Sequence, residues 1–315
     1  IGCKVIGIDI NPFSCTLSKT KLNNYSKNDL KKITEFKVPR NKKVKNLYEK
    51  YEFSMTERLF SKDNFNKIEL LKCSIQQVKN KNAKDFLFTT LVSCLEHCSN
   101  YKKAGNGLKR KKKQEQIDFF VEFSKKKEIM LKDVKLHQGA SNFSIYNSGV
   151  KELDLLVENN SIDISFFSPP YPNCFDYFEV YKIELWIGEF IQSYNQLKSM
   201  RKNAITSNLN ANLNQDITGI KSENLSILLA ETLNHLSDKD LWNKKIPKMI
   251  LLYFFEMDAF MNDLFLKMKT NSKTGIVIGN SSYGGIPILS DLILSEIAEK
   301  NGFVVDEIVI ARRNE

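Results

Sequence analysis

An α/β fold on a doubly wound, mainly parallel sheet carrying a helical insertion is the architecture this sequence predicts. Three observations predict it. Short β-branched runs alternate with helical periodicity at both ends of the chain, while residues 23–132 carry helical spacing with few strand signals. The run 162–167 becomes apolar on both parities as it ends, the pattern of a strand buried on both faces of a parallel sheet.

In chain order, Lys4-Val5-Ile6-Gly7-Ile8 reads as a strand that ends in the turn Asp9-Ile10-Asn11-Pro12. Pro12 suits the first turn of a helix over 13–22, because its missing N–H would have no partner there anyway. The Lys- and Asn-rich stretch that follows places Phe86, Leu87, Thr90, Leu91 and Cys94 at helical spacing, and again Ile117, Phe120, Val121 and Ser124. Between these two helices the glycines of Ser99-Asn100-Tyr101-Lys102-Lys103-Ala104-Gly105-Asn106-Gly107 predict a loop. Strands are expected at 134–137 and 162–167, with helices at 149–159 and 181–191. A polar, loop-rich insertion begins at 192 and extends to about 245. A long helix over 246–269 leads through Asn271-Ser272-Lys273 into a strand at 275–279. Asn301-Gly302 stops a helix over 290–300, and a last strand is expected at 304–311. The implied organisation is a core domain opening at 1–22, a basic helical insertion at 23–132, and the rest of the core domain at 133–315.

Composition narrows the function classes. An apolar fraction of 42% with 11% aromatic residues is that of a folding globular chain. The excess of 47 basic over 37 acidic residues gives a net charge of +10, which favours polyanionic partners. Apolar runs such as 249–255 fall far short of the roughly 20 residues that a membrane-crossing helix needs, so no membrane partner is expected. The six cysteines lack any CxxC pair, which fits reduced thiols and a cytoplasmic location. The first residues carry no basic leader, signal-like run or initiator Met, so the sequence reads as opening within a fold.

Chemistry concentrates at Phe166-Phe167-Ser168-Pro169-Pro170-Tyr171-Pro172-Asn173-Cys174. Neither proline nitrogen can donate to a ladder and both hold the chain extended, so the strand ends there with its polar groups turned to the crevice beyond the sheet. A Ser hydroxyl, a proline carbonyl and an aromatic face set together can accept the two hydrogens of an exocyclic amine while its ring stacks on Tyr171. A second cluster, Lys102, Lys103, Lys109, Arg110, Lys111, Lys112 and Lys113, has no acid within it and is a candidate phosphate-contacting surface. Cys94, His97 and Cys98 sit within a turn of one another but lack a second ligand pair, so no metal site is expected, and His137 and His235 read as structural.

The Ser168-Pro169-Pro170-Tyr171 string resembles the catalytic motif of the S-adenosylmethionine-dependent DNA amino-methyltransferases, which has the form Asp/Asn/Ser-Pro-Pro-Tyr/Phe/Trp. The Ser version is more typical of enzymes acting on cytosine N4, and the Asp version of those acting on adenine N6. Val5 to Pro12 is similar to the family's second strand, whose terminal acid binds the cofactor ribose, and 275–283 is similar to the strand flanking its substrate pocket. The resemblance implies a Rossmann-like methyltransferase fold and S-adenosylmethionine as cofactor, held by Asp9, Ile10 and Asn11 and, after the third strand, by Gly139 and Ala140. Ala140 stands where the family often has an acid. The family's Phe-x-Gly-x-Gly loop would lie just before Ile1, supplied by a longer parent chain or by another polypeptide.

The implied reaction is direct methyl transfer to the amine of a base flipped out of double-stranded DNA, with Ser168 and the Pro169 carbonyl gripping the N–H groups. Cysteine nucleophiles of cytosine-carbon enzymes follow a Pro, whereas Asn173 precedes Cys174 here. A companion restriction nuclease is an implied partner. The rival readings are a non-catalytic or remnant DNA-binding subunit, and an enzyme methylating amines of RNA or protein.

Overall fold

The computed structural model describes residues 3–40, 42–112, 117–136, 139 and 142–312. The order runs β1 (Val5–Asp9), α1 (Pro12–Leu22), α2 (Lys27–Glu35), α3 (Thr56–Leu59), α4 (Lys62–Gln76), α5 (Lys81–Cys98), β2 (Tyr101–Ala104), β3 (Gly107–Arg110), α6 (Phe119–Leu136) and β4 (Phe143–Asn147). It continues with α7 (Leu153–Leu156), β5 (Ile162–Phe167), α8 (Tyr177–Val180), α9 (Lys182–Ile187), α10 (Tyr194–Asn203), α11 (Ile227–Ser237), α12 (Ile246–Lys267), β6 (Met268–Ile276), β7 (Ser281–Tyr283), β8 (Ile286–Ile288) and α13 (Ser290–Lys300). The chain divides into two compact units, Ile1–Ser148 with Tyr177–Met200, and Gly149–Asp176 with Arg201–Glu315.

In the first unit β1 pairs in parallel with β4, from Val5 opposite Phe143 to Asp9 opposite Asn147, and α1 packs on both strands. Helix α5 is the hub. Its Ala83, Phe86, Leu87, Leu91 and Leu95 are wholly buried, and α1, α2, α4, α6 and α9 pack around it. The Asn80 side chain starts α5 by accepting from Ala83 N at 2.8 Å. A reciprocal Ser26–Asp29 capping box starts α2. Two expectations fail here. The stretch expected as a loop over 99–107 instead holds one strand and the turn of a β-hairpin over 101–110, with Tyr101 opposite Arg110 and Gly105 in the turn at φ +55°, a backbone conformation open to glycine. The strand expected at 134–137 is instead the end of α6 for its described residues, because Phe119, Phe123, Lys127 and Leu131 repeat every fourth residue and bury one helical face. The strand comes later, at Phe143–Asn147.

In the second unit β5 pairs in parallel with β6, with Phe166 opposite Gly275 and Phe167 opposite Ile276. Helix α12 starts with a proline in its first turn and buries residues on most of its circumference, and Phe167 meets its Phe260 ring edge-on at 5.1 Å. The opposite face of β5 differs from expectation: Ile164 is 75% and Phe166 76% exposed, so among the described residues this strand is covered on one face only. Helix α13 begins and ends where the sequence places it. The helix expected over 149–159 shrinks to a 3-10 turn, Val150–Glu152, and α7. The stretch 304–311 forms no ladder, and Val304, Val309 and Ile310 are exposed. The described strands form four two-stranded sheets, two of them parallel, a mixed α/β architecture in which a continuous doubly wound sheet is not seen. No helix of the described residues is long and apolar enough to cross a membrane.

Candidate active site

The Ser168–Tyr171 string leaves β5 at the carboxyl end of the parallel pair, where the last ladder bond runs from Val277 N to Phe167 O at 3.0 Å. Ser168 is exposed, Pro169 is buried, and Pro170 and Tyr171 are half-buried. What fixes this loop is the hairpin of β7 and β8. The Tyr283 hydroxyl and the Ser281 hydroxyl each donate to the Pro172 carbonyl at 3.0 Å. The Tyr171 ring lies close enough to Gly279 that a Cβ there would come within 2.9 Å of its Cε2. A side chain at 279 would therefore displace the ring, which is why glycine occupies this close approach.

Cys174 closes the loop at φ +61°, with its N–H donating to Ser207 O at 3.1 Å and its sulfur 3.3 Å from the Tyr283 hydroxyl. Burial pushes the Cys174 thiol up from its ordinary range, more than the Tyr283 contact pulls it down. A protonated thiol is a poor nucleophile. Burial and the neighbouring Cys174 sulfur likewise push the Tyr283 phenol up, so it stays a donor at neutral pH. The loop can thus present a hydroxyl, carbonyls and an aromatic face without a nucleophile.

In the first unit Asp9 ends β1, exposed, with Oδ1 accepting from Asn11 N at 2.7 Å. Asn11 in turn caps α1 by accepting from Phe13 N at 3.0 Å. Asn147, at the end of β4, donates through Nδ2 to the Asp9 and Ile10 carbonyls at 3.1 and 3.0 Å and so locks the turn. Asp9, Ile10 and Asn11 are thereby brought together. Gly139 is not with them: a Cβ there would meet Leu22 O and the Asn23 carbonyl, at the other end of α1. Ala140 lies outside the described residues. Sequence reasoning missed Asn147, which the alternation in Phe143-Ser144-Ile145-Tyr146-Asn147 could have shown as a strand end. It also missed the clamping roles of Ser281 and Tyr283 and the packing role of Gly279.

The basic cluster divides. Lys102, Lys109, Arg110 and Lys112 are exposed on or beside the hairpin of β2 and β3. Lys103 turns inward to Glu184 at 2.6 Å, and Lys111 donates to the Glu96 and His97 carbonyls at the end of α5. Lys113 lies outside the described residues. Cys94 and Cys98 are buried on α5, and burial pushes the Cys98 thiol up to about 12. Among the described residues no group of three or more His, Cys, Asp or Glu side chains is placed to hold a metal ion.

Over 176 residues, 54% of the chain, the sequence is 32% identical to the Type II methyltransferase M.AvaI of Nostoc sp. and, equally, to the protein of that name from Anabaena variabilis. It is 26% identical over 166 residues, 47% of the chain, to the Type II methyltransferase M.BsoBI of Geobacillus stearothermophilus. The matched stretches cover 36% and 32% of those relatives, so the chain spans about a third of their length. No family model and no solved structure matches. Over about half its length, then, the chain is similar to Type II methyltransferases.

Proposed function

We propose that this chain forms the catalytic part of an S-adenosylmethionine-dependent DNA methyltransferase that modifies an exocyclic amine, cytosine N4 ahead of adenine N6, on a doubly wound sheet interrupted by the basic insertion 23–132. The observation that carries the reading is the clamped Ser168-Pro169-Pro170-Tyr171 loop at the carboxyl end of a parallel strand. Similarity to Type II methyltransferases supports it, and their class points to a companion restriction nuclease in the cytoplasm.

When bound, S-adenosylmethionine supplies an electrophilic methyl carbon on a sulfonium. The turn at Asp9 fits such a ligand: Asp9 is exposed at a strand end, the Asn11 N–H holds one of its carboxylate oxygens and Asn147 holds its backbone carbonyl, so that the carboxylate would accept from ribose hydroxyls. Ser168 Oγ and the Pro169 carbonyl accept the two N–H groups of the target amine. Those bonds draw the nitrogen lone pair out of conjugation with the ring and aim it. Tyr171 stacks on the flipped base and offsets part of an extrusion cost of roughly a few kcal/mol. Positioning and preorganised acceptors supply most of the rate. The exposed lysines of the hairpin grip phosphates and set a salt-dependent affinity.

The test supplies tritiated S-adenosylmethionine with DNA, RNA or protein acceptors. Counts in DNA that vanish in Ser168→Ala and Tyr171→Ala, with DNA affinity retained, support the reading. Counts confined to RNA or protein overturn its substrate, and no counts in any acceptor overturn its chemistry.

A further inference from the structure

The turn between α11 and α12 carries a large side chain that packing does not use. Leu241 and Trp242 are the two apolar residues of the run 238–245, and they face different surroundings. Leu241 is 9% exposed and Trp242 is 69% exposed. Tryptophan is highly buried on average, and Trp186, the other tryptophan of the chain, is 1% exposed. Hydrogen bonds fix the turn on both sides of the indole. Lys239 N donates to Leu236 O at 3.2 Å, the Asn243 side chain accepts from Lys245 N at 2.9 Å, and Ile246 N donates to Asn243 O at 3.2 Å.

Two contacts place this turn beside the Ser168 loop, within the same compact unit. Leu241 Cδ2 stands 3.0 Å from where a Cβ on Gly284 would lie, and the preceding residue, Tyr283, holds the Pro172 carbonyl. One turn into α12, the Met249 sulfur lies 3.6 Å from the Cys174 sulfur. The indole therefore stands on the rim of the proposed site.

The charges along the turn select its partner. Exposed Asp238, Lys239 and Asp240 precede the indole, and the exposed pair Lys244 and Lys245 follows it, so the positive excess lies on the α12 side. An open aromatic face beside adjacent cations matches a partner in which flat rings alternate with anions, as they do along a nucleic acid strand. We propose that the Trp242 indole stacks on a nucleobase that extrusion of the target leaves unstacked, with Lys244 and Lys245 on the phosphates beside it. Stacking of this kind accepts any base, so the contact holds the opened DNA and does not read its sequence. The proposal rests on the DNA methyltransferase reading and adds a contact outside both the Ser168 loop and the hairpin of β2 and β3.

The test follows the intrinsic fluorescence of the 315-residue chain during titration with a single-stranded oligonucleotide of about 20 nucleotides, whose base faces are open. An abasic strand of equal length and charge is the control. Because Trp186 is buried, quenching on binding reports Trp242. Saturable quenching is expected with the base-bearing strand and little with the abasic one. Trp242→Ala, at an exposed position where substitution leaves the fold intact, should weaken the base-bearing strand about tenfold, and Trp242→Phe should keep most of the affinity. Lys244→Ala with Lys245→Ala should lower the salt slope of binding by about 1.4. The proposal is overturned by absence of quenching, by equal quenching with the abasic strand, or by unchanged affinity in Trp242→Ala. A blue shift with phosphatidylglycerol vesicles and no quenching by DNA would assign the turn to a lipid surface and overturn it as well. Methyl transfer to subsaturating DNA that is unchanged in Trp242→Ala sinks only this contact; base-dependent quenching with no methyl transfer sinks only the enzymatic reading.

Discussion

Replacing Gly279 by Ala probes whether the Tyr171 ring must sit where it does. The new Cβ would lie 2.9 Å from Tyr171 Cε2 and 3.0 Å from Cδ2. Ordinary carbon contacts need roughly 3.5–4.0 Å, so the ring must retreat by on the order of 0.5–1 Å. A misplacement of that size in a group that orients substrate lowers turnover by up to about 100-fold. The expected loss is about 10- to 100-fold in kcat, or about 1.4–2.7 kcal/mol of transition-state stabilisation. The assay is initial-rate methyl transfer at saturating DNA, with circular dichroism and DNA affinity as controls. A Gly279→Ala enzyme turning over within twofold of the parent, while Tyr171→Ala is inactive, would refute the idea that ring position limits the reaction.

Removing both hydroxyls that clamp Pro172, as Tyr283→Phe with Ser281→Ala, should cost about 1–3 kcal/mol in urea unfolding and lower kcat more than it raises KM, because the carbonyl loses both donors. Asp29→Ala removes the acceptor for Ser26 N, Asn80 and Asn82 and should destabilise the protein by about 1–3 kcal/mol. Burial opposes charge on Asp29, but the Asn80, Asn82 and Ser26 donors outweigh it and hold its carboxyl at about 2. A depressed carboxyl stabilises the fold above its ordinary value of 3.8, so the difference between parent and Asp29→Ala should fade as pH drops from about 4 toward 2. Charge reversal at Lys109, Arg110 and Lys112 should weaken DNA binding and flatten its salt dependence with little change in stability, whereas Lys103→Met should destabilise the fold by stranding Glu184, as urea midpoints would show.

Local chemistry made some elements legible and long-range partners hid others. Helices α1 and α13 could be read because Asn11 and Pro12 start one and Asn301-Gly302 ends the other. The loop at Ser168 could be read because two prolines after an apolar run permit few structures. The exposure of Ile164 and Phe166 could not, since nothing in a strand's own residues says whether its second face is covered. The stretch 134–137 reads as a strand because four residues are too few to separate period two from a continuing helix. Among the lysines, nothing in the basic run itself distinguishes Lys103 from Lys102: Lys103 is captured by Glu96 on the preceding helix and by Glu184, 81 positions away. A separation of 138 positions hid Asn147, whose carbonyl partners in the Asp9 turn are brought to it by the β1–β4 pairing.

In the proposed reaction Ser168, Pro169 and Tyr171 hold the amine of a nucleobase. Nucleoside mass spectrometry after reaction with DNA and methyl-labelled S-adenosylmethionine tests it most directly. Label is expected in N4-methylcytosine; label on a ring carbon, as in 5-methylcytosine, would rule out an amine held by these residues.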